Sequence, residues 1–373
     1  MIIQNAVIYR NGILQIGTLF TEGERIRESS GGDVLEADGL FAFPGLIDTH
    51  FHGADGADFS DGTAESLRKL LRYELEHGIT AVCPATMSLP EEQLMKIMRA
   101  AGSYEGEGAE LVGIHLEGPF LNPVKCGAQD PKAMIPADAD LVKRLDEACG
   151  QLIRIVDIAP EMPGAMEAIP GLSDHYRVSL AHTAADYETA KEAFRAGADR
   201  ITHLFNAMNG IHHRNPGPAA AAAESASCAE LICDGIHVHP AMVRLAFDLF
   251  GDSRIVMISD SMRGTGLADG VYTLGGQRVR KSGNRAVMEH DSGVIAGSVS
   301  DLYDCLRTAV GMGIPMESAL RACTENPARS IGIDDDYGSL DPGKYADIIL
   351  ADRNLEIKMI LHHGRIIERS EDI

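Results

Sequence analysis

The chain has 373 residues, 45% apolar and 24% charged, which suits a globular protein with one large domain and a smaller one. Its formal charge of -22 argues against nucleic acid or an anionic membrane as a partner, and no apolar run approaches bilayer length. Seven cysteines without a Cys-x-x-Cys, and an N-terminus without a basic lead and long apolar core, predict a cytoplasmic protein with scattered core thiols and no signal peptide.

Residues 1–43 read as short strands and turns, with strand-like runs at 5–9, 12–16 and 39–43 and no convincing helix. The other end reads the same way, with runs at 346–350, 357–361 and 365–367 and a turn at His363-Gly364. Neither end could bury a core alone, so the two are expected to pair into one small β-sandwich domain, residues 1–43 plus 337–373.

Residues 44–336 alternate apolar β-like runs with amphipathic helical ones. Eight strands are predicted, at 45–48, 79–83, 111–115, 152–156, 177–180, 200–202, 229–233 and 254–258. Leu67, Leu70, Leu71 and Leu75 share a helical face that Gly78 stops. Ser88 and Glu91 suggest a capping box ahead of Leu94, Ile97 and Met98, and residues 187–196 are helical up to Gly197. This spacing predicts an α/β fold, a closed (β/α)8 TIM-like barrel, although an open doubly wound sheet satisfies the same periodicity. The pattern breaks near 269–290, where strand-like runs at 271–274, 277–280 and 286–288, separated by Gly-rich turns, suggest an inserted β-hairpin, and 301–312 and 315–323 read as closing helices.

The first barrel strand runs into His50-Phe-His52. Side chains two apart on a strand share a face, so both imidazoles could hold one divalent metal. Alone, His-x-His fits two hydrogen-bonded histidines on a polar rim equally well. Glu117 follows the third strand, His182 the fifth, His203 the sixth and Asp260 the eighth. Singly, each has an ordinary structural role, such as a helix cap for Asp260. Together they place six metal-binding side chains at the rim where barrel enzymes carry their chemistry. Four histidines and Glu117 suffice for two metals, with Glu117 as the bridge. Bound water would reach a pKa near ~7, and Asp260 would move its proton, giving metal-assisted hydrolysis of an amide or other C–N bond.

The stretches around these residues resemble the amidohydrolase superfamily, and within it the N-acetylglucosamine-6-phosphate deacetylases. Pro44-Gly-Leu-Ile-Asp-Thr-His-Phe-His-Gly53, His115-Leu-Glu-Gly-Pro-Phe-Leu-Asn122, Thr202-His-Leu-Phe-Asn-Ala-Met208, Asp234-Gly-Ile-His237, Ser259-Asp260, Ile295-Ala-Gly-Ser298 and the run from Asn326 to Asp347 carry the likeness. The resemblance implies cleavage of an N-acetylated hexosamine 6-phosphate to acetate and the amino sugar phosphate. It implies one or two divalent metals per chain, zinc before iron, manganese or cobalt, on Glu117, His182 and His203, with His50 and His52 adding the second. Asp260 would be the general acid and base beside them. Asn206 and Ala207 would hold the sugar phosphate with Arg214 and His237, a homodimer completing that site. Ala128, Gln129, Ile295, Ala296 and Gly297 would line the pocket.

One departure stands out. Gln129 occupies the position of a carbonyl-contacting histidine in the single-metal branch, which lacks His-x-His. A glutamine donates hydrogen bonds but carries no charge, so a second metal is expected to share in polarising the carbonyl. Rival readings are a galacto-configured amino sugar phosphate, another amide on the same scaffold, and a catalytically dead metal- or ligand-binding protein.

Overall fold

A computed structural model describes residues 1–369; the last four residues of the expected small domain, 370–373, lie outside the described residues. The predicted strand–helix alternation is present unit by unit. The strands are β1 (Leu46–Asp48), β2 (Ile79–Val82), β3 (Ile114–Leu116), β4 (Ile153–Ile158), β5 (Arg177–Leu180), β6 (Arg200–Ile201), β7 (Cys228–Ile232) and β8 (Ile255–Ile258). Each is followed by a helix, beginning with Ala64–Glu76 after β1 and ending with Leu302–Gly311 after β8. Helices Met316–Cys323 and Glu325–Ile331 then follow, the second of them unforeseen.

All pairings among these strands are parallel. β1 pairs with β2, and β3 through β8 pair in chain order. A parallel bridge between Ala85 and His115 links the two groups, and the Asp260 amide donates to the His50 carbonyl at 2.9 Å beyond the ends of β8 and β1. Parallel strands are covered on both faces, which is why they read as unbroken apolar runs; Ile255, Val256, Met257 and Ile258 are all fully buried.

The helix Ala64–Glu76 buries Leu67, Leu70, Leu71 and Leu75 as their spacing requires, and Thr63 caps it by accepting from the Ser66 amide at 3.2 Å. Three expectations need correction. The capping box of Ser88 and Glu91 does not form: the helix Glu91–Gly102 begins after Pro90, whose extended backbone (ψ 147°) leaves Ser88 outside the first turn, without a side-chain cap bond. The strand expected at 111–115 is interrupted, Glu110–Leu111 pairing with β2 and Ile114–Leu116 with β4. The insertion is a three-stranded antiparallel sheet (Gly270–Leu274, Gln277–Ser282, Arg285–Met288) rather than a hairpin.

The two chain ends share one eight-stranded sheet, in which Ile348–Ala351 runs antiparallel to Phe41–Pro44. Ile3, Ile8 and Ala42 from one end pack with Ile348, Leu350 and Met359 from the other. Only Gly45 separates Phe41–Pro44 from β1, so this sheet feeds directly into the strand that precedes His50 and His52.

Candidate metal centre

The chain turns sharply where each of these strands ends. Asp48 Oδ1 accepts from the His50 amide at 3.1 Å, fixing the turn after β1. Five non-glycine residues beyond strand ends adopt positive φ: His182 (42°), His203 (31°), Phe205 (76°), Ala207 (51°) and Asp260 (49°). Backbone strain of this kind persists only where surrounding contacts impose it, and it clusters at functional sites. After Glu117, Gly118 (φ 87°) admits a comparable turn, and a Cβ there would lie 2.2 Å from Ser88 Oγ.

These turns bring the six predicted side chains together, all of them buried. His52 Nε2 lies 3.2 Å from Asp260 Oδ1, and His50 Nε2 lies 3.8 Å from the same atom. Opposite, Glu117 Oε1 is 3.0 Å from His182 Nε2 and 3.2 Å from His203 Nε2, and those nitrogens are 3.1 Å apart. Glu117 joins the two groups, with Oε2 at 3.3 Å from His52 Nε2 and Oε1 at 3.7 Å from His50 Nε2.

The donor set fits a divalent metal. Nitrogen and oxygen ligands around a tetrahedral zinc stand about 3.3 Å apart, close to the separations within each triad. His50 Nε2 and Glu117 Oε2 are buried without a hydrogen-bond partner, as atoms facing a cation would be. Burial opposes charge on His52, but hydrogen bonds and charge from Asp260 and Glu117 outweigh it and raise the ring to about 10. Burial raises Glu117 and Asp260 in turn, and the surrounding imidazoles overcome this and hold both carboxyls below their ordinary range. The cluster is thus rich in negative charge that only protons or metal ions can balance.

Three of the four rings have an acceptor behind them: His52 Nδ1 faces the Ala85 carbonyl at 3.2 Å, His182 Nδ1 the Lys125 carbonyl at 2.8 Å and His50 Nδ1 the Glu230 carboxylate at 3.0 Å. With the proton on Nδ1, each ring presents the Nε2 lone pair to the centre.

Above the centre lies a cavity of about 290 Å³. Ala128, Gln129, Asn206, Ala207, His237, Ile295 and Gly297 line it. Gln129 Oε1 accepts from the Ser88 amide, while its Nε2 is buried without a partner. His237 Nδ1 bonds Asp234 Oδ2 at 2.7 Å; burial lowers the ring pKa, and the Asp234 carboxylate more than restores it. Two residues are not brought to the cavity. Ala296 is fully buried in a cluster with Met87, Met262 and Leu274. Arg214 is exposed on the loop after β6, bonded to His213 Nε2 at 2.6 Å.

Other members were not foreseen. Met87, Phe205 and Leu274 line the cavity from loops and from the inserted sheet, which period-based reading leaves unplaced. Beneath the centre, Glu230, Arg200, His115 and Asp157 form a buried polar layer, with Arg200 Nη1 2.8 Å from Glu230 Oε1 and His115 Nε2 2.8 Å from Asp157 Oδ1. A carboxylate within the apolar run of β7 was the available signal.

Comparison with known proteins agrees with this geometry. The model of the Amidohydrolase family matches residues 41–367. An N-acetylglucosamine-6-phosphate deacetylase of Bacillus subtilis (strain 168) is 35% identical, the match covering 98% of this chain and 95% of the relative. An N-acetylgalactosamine-6-phosphate deacetylase of Escherichia coli O157:H7 is also 35% identical, over 89% of each. The solved structure of an N-acetyl-D-glucosamine-6-phosphate deacetylase mutant from Mycobacterium smegmatis, in complex with N-acetyl-D-glucosamine-6-phosphate, superposes with a TM-score of 0.92 at 30% identity, covering 98% of both chains. The α/β fold is accordingly TIM-like, and the chain belongs to the amidohydrolase family, among the proteins similar to N-acetylglucosamine-6-phosphate deacetylases.

Proposed function

We propose that this protein hydrolyses the acetamide of N-acetylglucosamine 6-phosphate, releasing acetate and glucosamine 6-phosphate. The observation that carries the reading is the pair of donor triads joined by Glu117 on the floor of a cavity sized for a sugar phosphate. His50, His52, Glu117, His182 and His203 would hold one or two divalent ions, zinc first and iron, manganese or cobalt next, with Asp260 beside them. When bound, such an ion lowers the pKa of water and polarises an acyl oxygen.

The chain's own groups do the rest. Asp260 takes the proton of the attacking water and returns it to the leaving nitrogen. Gln129, anchored through Oε1, donates Nε2–H to the acetamide oxygen. Asn206, Ala207 and His237 hold the sugar phosphate, and Ile295 and Gly297 wall the cavity. Arg214, exposed and outside this cavity, is assigned to the phosphate of a second copy in a homodimer.

The same reading takes residues 44–336 as a closed (β/α)8 barrel and residues 1–43 plus 337–373 as a β-sandwich domain. A cytoplasmic setting agrees with the free thiols of all seven cysteines. A galacto-configured substrate is the second reading, the substrate named for the Escherichia coli relative.

Acetate release from N-acetylglucosamine 6-phosphate, measured beside its galacto epimer, tests the proposal. Activity should vanish on chelation and return with zinc. Asp260→Asn should retain metal and lose roughly 10²–10⁴-fold in kcat. Undiminished turnover by that variant would remove Asp260 from the mechanism, and faster galacto hydrolysis would reverse the substrate assignment.

A further inference from the structure

His52 and His182 each rest their Nδ1 on a backbone carbonyl, whereas His50 alone rests it on a carboxylate. That carboxylate, Glu230, lies in the middle of β7, with Ala229 and Leu231 fully buried on either side, and is itself fully buried. Both its oxygens have a dedicated donor: Oε2 takes His50 Nδ1 at 3.0 Å and Oε1 takes Arg200 Nη1 at 2.8 Å. Arg200, 1% exposed, is held in turn by Ser330 Oγ. His115 closes the remaining side, its ring centroid 4.4 Å from that of His50 and its own nitrogens engaged by the Thr49 carbonyl and Asp157.

A buried ion pair is seldom more stabilising than apolar side chains of the same volume, because both charges lose their hydration. Stability therefore gives little reason for Glu230 and Arg200 to occupy this interior layer. Their geometry points to work on His50. We propose that Glu230, neutralised and oriented by Arg200, is the positioning residue of the His50 side of the centre, holding the proton on Nδ1 so that Nε2 faces a divalent ion. A carboxylate behind an imidazole also makes Nε2 a stronger donor than a carbonyl does. Occupancy of the His50, His52 and Asp260 triad then depends on Glu230, while the Glu117, His182 and His203 triad is independent of it.

The inference rests on the metal-binding reading above, and the experiment separates the two. Chelator-stripped parent, Glu230→Gln and Glu230→Met/Arg200→Met are titrated with Zn²⁺ alone, counting ions per chain by elemental analysis and affinities by calorimetry. Nitrogen-15 spectra of the histidine rings report which ring nitrogens carry a proton before metal is added. The parent should take up two ions and show His50 protonated on Nδ1. The double variant, which leaves no unpaired buried charge, should lose that signature and bind its weaker ion roughly 10- to 100-fold less tightly, with the other ion unaffected. Glu230→Gln, whose amide oxygen still accepts from Nδ1–H, should keep the tautomer and lose less affinity. If either folded variant binds both ions as the parent does, the role of Glu230 is overturned. A parent that never binds more than one ion overturns the two-metal reading, and this proposal with it.

Discussion

Glu74 is a carboxylic acid on the buried face of the helix Ala64–Glu76, fully buried and with neither oxygen partnered. Burial, and then repulsion from Asp48 and Asp301, raises its pKa well above the ordinary value of 4.5. The folded chain keeps a proton on Glu74 that the unfolded chain releases, so stability falls as pH rises from the unfolded pKa towards the folded one. Glu74→Gln cannot ionise. It should melt several degrees above the parent at pH 7 and close to it at pH 4, a difference that calorimetry across that range would measure. A constant offset at both pH values would mean that the acid's ionisation is not what limits stability. The same burial logic acts on Glu230 with the opposite result: burial raises its carboxyl, but His115, His50 and Arg200 surround it with positive charge and hold it ionised. An unpartnered acid stays neutral in this interior, and a partnered one stays charged.

Among the elements, the inserted sheet is the one that the barrel pattern does not require. Its strands pack Leu274, Val279, Ala286 and Met288 against Met87 and Met262, and the end of its first strand brings Leu274 to the cavity wall. That wall faces the cavity, so it should contribute to binding rather than to chemistry. Leu274→Ala is expected to raise KM roughly ten-fold with kcat within about two-fold of the parent. Steady-state acetate release decides this, and a fall confined to kcat would mean that the insertion acts on the reacting groups instead. The loops after β5, β6 and β8 work differently. Their left-handed residues turn His182, His203 and Asp260 into the centre, and no alternation of apolar and polar residues announces such turns.

Across the whole molecule, the terminal sheet and the candidate metal centre are continuous along the chain. Phe41–Pro44 is held between the N-terminal strand Ile2–Arg10 and Ile348–Ala351, and one residue later the chain enters β1. Truncation after Tyr345 removes that second partner and uncovers Ile3, Ile8 and Ala42. A half-sheet with an open apolar edge aggregates or frays. The truncated chain should be recovered largely insoluble, and any soluble fraction should bind zinc poorly at His50 and His52. Soluble yield and zinc content are the measurements, and a soluble fraction loaded like the parent would show that the two parts are independent.

Periodicity alone located every barrel strand to within a few residues, because a parallel strand covered on both faces must be apolar throughout. Metal-binding residue types recurring just beyond strand ends marked the side chains that the fold gathers into one cluster, because side-chain chemistry is carried by residue identity. Local pattern could not say which distant groups touch. That Ser88 would bond Gln129 instead of capping a helix, that Ala296 would turn into the core and Arg214 away from the cavity, and that Glu230 would stand behind His50 all depend on contacts between segments remote in the chain. Such contacts follow from how the parallel strands pack side by side and from the direction of each loop, and no stretch of residues encodes either by itself.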